Sequence, residues 1–133
     1  IALIDGNFRL NNNIEVIAGG SIMFVVSGDI TVDPAVTRMD GFYIASGDII
    51  TETGGTGTDA DFVVNGSWIS YGDDPVGVPD NDSIVLNRDR GTSNSSPAEK
   101  FNYSSDLVTN LQTAFPSLKI FRYDWKEVAP SGN

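Results

Sequence analysis

Two aspartates, Asp29 and Asp48, each follow a glycine inside the same phrase, Ser27-Gly28-Asp29-Ile30 and Ser46-Gly47-Asp48-Ile49. Glycoside hydrolysis needs a pair of carboxyl groups about 5–10 Å apart, one as acid and the other as base or nucleophile. Two carboxyls held that close raise the pKa of one of them. Stacking of the two phrases would create such a pair. Asn7 and Ser67 fill the same place in sister phrases, however, and a column of Asn, Asp and Ser beside glycine is the chemistry of turns whose side chains bond their own backbone. We therefore assign no catalytic residue.

The remaining polar chemistry is acidic. Asp59 and Asp61 precede a second group, Asp73, Asp74, Asp80 and Asp82, that flanks a Pro-Val-Gly-Val-Pro loop. Such oxygen ligands could converge on Ca²⁺, but their spacing matches neither an EF-hand nor the calcium nonapeptide. Solvated loop carboxylates are the reading we adopt, with no metal or cofactor residue assigned. The chain has neither histidine nor cysteine, which removes the commonest catalytic base and transition-metal ligand along with thiolate sites and disulfides. Eighteen acidic against eight basic residues leave a charge of −10, which repels phosphate backbones and argues against a nucleic-acid partner.

Aromatic residues could stack on sugars: Tyr43, Trp68, Tyr71, Tyr103, Tyr123 and Trp125. Trp68 falls in a column with Ile30 and Ile49 and belongs to the core; Tyr43 and Tyr71 are the surface contacts to expect, although packing is the commoner fate of aromatics. Thr31 aligns with Ile50 and Ile69, so Thr31, Thr51, Thr53 and Ser70 form no ice-binding ladder. Asn-x-Ser sequons at Asn65, Asn81, Asn94 and Asn102 matter only in a host that glycosylates them.

The elements that would position these residues come from a repeat. Four phrases, Leu3-Ile4-Asp5-Gly6-Asn7-Phe8, Val25-Val26-Ser27-Gly28-Asp29-Ile30, Ile44-Ala45-Ser46-Gly47-Asp48-Ile49 and Val63-Val64-Asn65-Gly66-Ser67-Trp68, place their glycines 22, 19 and 19 residues apart. A period near twenty residues is that of a stacked repeat. Superposed, the phrases give apolar columns on both sides of a polar-Gly corner: Leu3/Val25/Ile44/Val63 and Ile4/Val26/Ala45/Val64 before it, Phe8/Ile30/Ile49/Trp68 after it. Runs such as Ile22 to Val26 are continuously apolar, whereas a β-sandwich would alternate. The expectation is an all-β chain, a parallel β-solenoid of the right-handed β-helix type with coils stacked at ~4.8 Å.

Coils are expected over residues 1–86, with loops at Thr53–Asp61 and Gly72–Asp82, and a small mixed C-terminal cap and tail over 87–133. Ser96-Pro97-Ala98-Glu99 reads as a helix start. Leu107, Val108, Leu111 and Phe115 have helical spacing up to Pro116, Leu118 to Trp125 reads as a strand, and Ser131 to Asn133 as a loose end. Ile1 to Ile4 is already strand, which predicts further coils, another domain or another subunit upstream. No run approaches the ~20 apolar residues of a membrane-spanning helix.

The segments Leu86-Asn87-Arg88-Asp89-Arg90-Gly91, Pro97-Ala98-Glu99, Phe101-Asn102-Tyr103, Asp106-Leu107 and Trp125-Lys126-Glu127-Val128-Ala129-Pro130 resemble the end of uncharacterised β-solenoid surface or secreted proteins of candidate-phyla-radiation bacteria. In those proteins a glycine-punctuated region with a Val-Asn-Gly phrase, here Val64-Asn65-Gly66, precedes the same tail. The resemblance implies an extracellular or cell-surface location and no enzyme activity. It offers no clustered aspartates with a neighbouring histidine or arginine of the kind that pectate-lyase-like solenoids use. The function expected is that of a structural module of a surface layer or filament, self-associating head to tail or through an upstream region. The alternative is a glycan- or host-binding adhesin module that uses the two loops and Tyr71.

Overall fold

The computed structural model describes residues 1–55, 57, 59–72, 83–92 and 96–117. Its elements are β1 (Ala2–Ile4), β2 (Phe8–Leu10), β3 (Met23–Val26), β4 (Ile30–Val32), β5 (Arg38–Ala45), β6 (Ile49–Thr51), β7 (Phe62–Ser70), β8 (Ile84–Leu86), β9 (Glu99–Asn102) and the helix α1 (Ser105–Ala114). Odd-numbered strands form a five-stranded sheet in the order β1-β3-β5-β7-β9, and even-numbered strands a four-stranded sheet β2-β4-β6-β8. Every pairing is parallel. The chain thus visits one sheet, turns a glycine corner, and enters the other.

The strand-rich composition is as expected, but the right-handed β-helix is not. The strands make two parallel sheets and do not close into a solenoid. The reason lies in the connections that follow the even strands. Residues 11–22, 33–37 and 52–61 differ in length and in their Asn, Gly and Pro content, and among the described residues they add one isolated parallel bridge, Ile14 with Met39, and no third ladder. The described C-terminal residues contribute one strand and the helix. β9 extends the odd sheet by pairing with β7, and α1 lies against the flank, where Leu107 O accepts from Ser21 Oγ at 2.9 Å and Gly20 O accepts from Asn110 Nδ2 at 2.9 Å. The helix start read at Ser96 is a strand start: Phe62 N donates to Ala98 O at 2.8 Å, and Glu99 accepts from Thr51 Oγ1 and Arg88 N. Those tertiary partners outweigh local capping signals. The helix begins only after Ser104.

Register follows the repeat for three phrases and departs at the fourth. Leu3 pairs with Val25 and Val25 with Ile44; Phe8 pairs with Ile30 and Ile30 with Ile49. Gly66, however, stands opposite Gly41 and not in line with Gly47, so Ile69 continues the Leu3 column, Trp68 lies beside Tyr43, and Ile84 continues the Phe8 column. The Asp40-Gly41 pair explains the shift. Gly41 and Gly66 have φ of 123° and 143°, backbone that glycine tolerates, and a Cβ on Gly66 would collide with Gly41 O. Only two glycines can stack there.

The core lies between the sheets. Val26, Ile30, Val32, Tyr43, Ala45, Ile49 and Val64 are buried within it; each large side chain contributes ~1.5–3 kcal/mol. Phe8, Phe24 and Tyr43 stack ring on ring with centroids 5.2 Å apart. Strand alternation turns the Leu3 column outward: Leu3 is 79% exposed and Ile69 45%. At the corners, Asn7 Oδ1 accepts from Asp29 N and Asp29 Oδ1 from Asp48 N, both at 3.0 Å. Side chains of this column therefore bond the next repeat's backbone, and their own only through it.

Candidate functional site

A polar groove of about 540 Å³ lies between the flank of the odd sheet and α1. One wall is the segment Val16 to Gly20, and the other is Tyr103 to Asn110. Arg38 and Asp40 of β5 and Asn65 of β7 also line it. Parallel register places Asp40, Asn65 and Asn102 in one column. Their side chains chain together: Asn65 Nδ2 donates to Asp40 Oδ1 at 2.7 Å, and Asn102 Nδ2 donates to Asn65 Oδ1 at 3.1 Å.

Asp40 is 3% exposed. Its carboxylate also takes the Arg38 fork, Nε on Oδ1 and Nη2 on Oδ2 at 2.9 Å each, and the Val16 N–H at 3.0 Å. Burial pushes its pKa up, but Arg38, Asn65 and the Val16 N–H outweigh burial and hold it below the usual carboxylate range. Four donors on two oxygens leave Asp40 no lone pair to act as a base. Its role is to hold Arg38, whose side chain is 44% exposed and whose pKa Asp40 raises. Across the groove Tyr103 is 77% exposed, Ser104 makes no side-chain cap bond, and Asp106 occupies the first helical turn. Leu107 and Leu111, buried beneath, fix the helix that carries them.

Of the residues singled out by sequence, Tyr103 and Asn65 line the groove, and the other described ones lie elsewhere. Asp29 spends an oxygen on the backbone of Asp48, as a rung of the corner ladder. Asp59 accepts from Gly54 N and Asp89 N at 2.8 Å each, and Asp61 bridges Arg90 and Lys100, so both tie loops together. Asp73, Asp74, Asp80, Asp82, Asn81, Asn94, Tyr123 and Trp125, and the strand expected over Leu118 to Trp125, lie outside the described residues. Tyr43, a candidate surface contact for which packing was the commoner fate, is fully buried; its hydroxyl donates to Asp40 O at 2.9 Å, and burial raises its pKa. Trp68 is in the core, though in the odd sheet and not in the column of Ile30. Tyr71 is exposed. Thr31 does align with Ile50, while Ile69 belongs to the other sheet. Sequence reasoning named Tyr103 as an aromatic that could stack on a sugar but missed Arg38, Asp40 and Asp106; the Asp-Gly and Asn-Gly pairs at 40–41 and 65–66 were the available signal.

Arg88 was also missed. It is 8% exposed, donates to the carbonyls of Pro34, Asp33 and Val36 at 2.6, 2.9 and 2.8 Å, and covers the Phe62 ring at 5.0 Å. Burial lowers its pKa against the pull of Asp59, Glu99 and Asp33. It is a strut pinning the turn after β4. Arg9 does similar work on the surface, bridging Asp33 and Glu52.

Among the described residues no group of three or more acidic side chains is placed to hold a metal ion, and no helix is long and apolar enough to cross a membrane. No family model matches the chain, and neither a curated protein nor a solved structure does.

Proposed function

We propose that the chain is a non-enzymatic structural module of the cell exterior that self-associates end to end. The observation that carries this reading is the pair of free ladder edges. In a parallel pair each residue turns its N–H and C=O to the same side, alternating along the strand. Ile4 O accepts from Ser27 N, so Ile4 faces β3 and the backbone groups of Leu3 face away from the sheet. Phe8 N donates to Asp29 O and Asp33 N to Leu10 O, so Arg9 faces away likewise. At the opposite end Ser83 O faces β6 and Ala98 O faces β7, which turns the backbone of Ile84, Leu86 and Phe101 outward.

Among the described residues nothing pairs with these edges, and Ile84, Leu86 and Phe101 also expose apolar side chains there. Unpaired edges template strand addition, and a head-to-tail contact that does not close makes fibres. The cell-exterior location rests on the sequence resemblance. Light scattering and electron microscopy over a concentration series test the reading: ordered fibres are expected, and a monomer or a closed dimer at every concentration would sink it.

A further inference from the structure

We propose that the groove between α1 and the flank of the odd sheet binds a neutral saccharide, a function separate from end-to-end assembly. Its volume, about 540 Å³, lies inside the ~300–1,000 Å³ of small-molecule sites. Its chemistry is mixed in the way a sugar is mixed. A pyranose offers a C–H face and an edge of vicinal hydroxyls that both donate and accept.

Tyr103 supplies an exposed ring for the C–H face, an amphipathic surface with a polar tip. Asp106 supplies carboxylate oxygens that no described side chain or backbone group occupies, which accept from hydroxyls. Arg38 supplies donors: Nε and Nη2 are committed to Asp40, and the remaining Nη1 amine is not, on a side chain that is fixed in place and half exposed. Asn110 commits its amide nitrogen to Gly20 O and keeps its carbonyl oxygen to accept. The Arg38 and Asn110 groups are thus held before the ligand arrives, which lowers the ordering cost of binding.

Charge selects among ligands. Asp40 cancels Arg38, Asp106 adds a negative charge, and the chain as a whole carries −10. An anion is repelled, so acidic glycans and phosphates are disfavoured. A purely apolar ligand would strand the Arg38 and Asp106 groups without partners. The neutral polyol is what satisfies all of them.

Isothermal titration of the full chain with cellohexaose, maltohexaose, laminarihexaose, xylohexaose, mannohexaose and chitohexaose tests this. At least one is expected to bind with Kd in the ~10 μM to 1 mM range. Tyr103→Ala and Asp106→Asn should each weaken that binding about tenfold or more, with the circular-dichroism melt unchanged because both side chains are solvent-facing. Tyr71→Ala, exposed elsewhere, should bind as wild type. Absence of binding to all six, binding that survives both groove variants, loss through Tyr71→Ala, or binding only to the acidic hexamer of galacturonate would each overturn the proposal.

Discussion

Asp40 is buried while its partner Arg38 is half in water, and this asymmetry governs the response to acid. The Asp40 pKa is lowered in the folded state by Arg38, Asn65 and the Val16 N–H acting against burial, so the native protein binds fewer protons than the unfolded chain, where the value is ~3.9. The stabilisation is complete above that value and is lost as pH falls through the lowered native pKa. Asp33, Glu52, Asp59 and Asp61 shift in the same direction, through the Ala35 N–H, Arg9, backbone N–H groups and Lys100 respectively. The melting temperature should therefore fall as the pH is lowered below about 4. Asp40→Asn turns one acceptor oxygen into an NH2 group, so two of the four donors lose their acceptor; it should cost about 1–3 kcal/mol near neutrality and should flatten the acid slope in a pH series of thermal melts. An unchanged slope would mean that the surface carboxylates carry the acid response. Arg88 obeys a different logic: Arg88→Met keeps bulk over Phe62 but leaves three carbonyls unpaired, so a loss of about 2–4 kcal/mol is expected in urea unfolding. Neither residue was legible in the sequence, because each acquires its partners from segments distant in the chain.

The strands show where local pattern suffices. Their recurrence through Leu3, Val25 and Ile44 was readable because each phrase ends in a polar-Gly corner that only one register accommodates. At Gly47 a Cβ would strike the Asp29 carboxylate that bonds Asp48 N. Gly47→Ala should accordingly cost about 1–3 kcal/mol, read as a lower melting temperature, whereas an unchanged melt would show the ladder bond to be dispensable. The fourth phrase misled because Gly66 has two candidate partners, Gly41 and Gly47, and side-chain type alone does not choose between them. The choice falls to the Asp40–Asn65–Asn102 ladder, the same feature that builds the groove. α1 was legible as a helix from Leu107, Leu111 and their spacing, but its start was not, since pairing of β9 with β7 converts the apparent cap at Ser96 into strand. Sequence periodicity also could not tell inward from outward columns, for the outward face at Leu3, Val25, Ile44 and Ile69 is as apolar as the inward one.

For the molecule as a whole, the two sheets are ladders whose outermost strands, β1 and β9 in one and β2 and β8 in the other, have no further strand partner among the described residues. If copies join there, the joint depends on backbone groups and can be tested without touching the core. Leu3 and Ile4 are neighbours in β1 with opposite backbone directions, and proline removes an N–H at either one. Leu3→Pro deletes a donor that faces the free edge and a side chain that is largely solvated, so the melting temperature should move little while the concentration needed for fibres rises tenfold or more. Ile4→Pro deletes a ladder donor directed at β3, costs about 1–3 kcal/mol, and should lower the melt first. The charge of −10 opposes contact between copies, and raising salt from about 20 to 500 mM shortens the range of that repulsion severalfold; assembly by light scattering should rise with salt for the wild type and stay suppressed for Leu3→Pro. Equal assembly by the two proteins would place any joint away from β1 and leave the outward apolar face of the odd sheet as the surface through which copies meet.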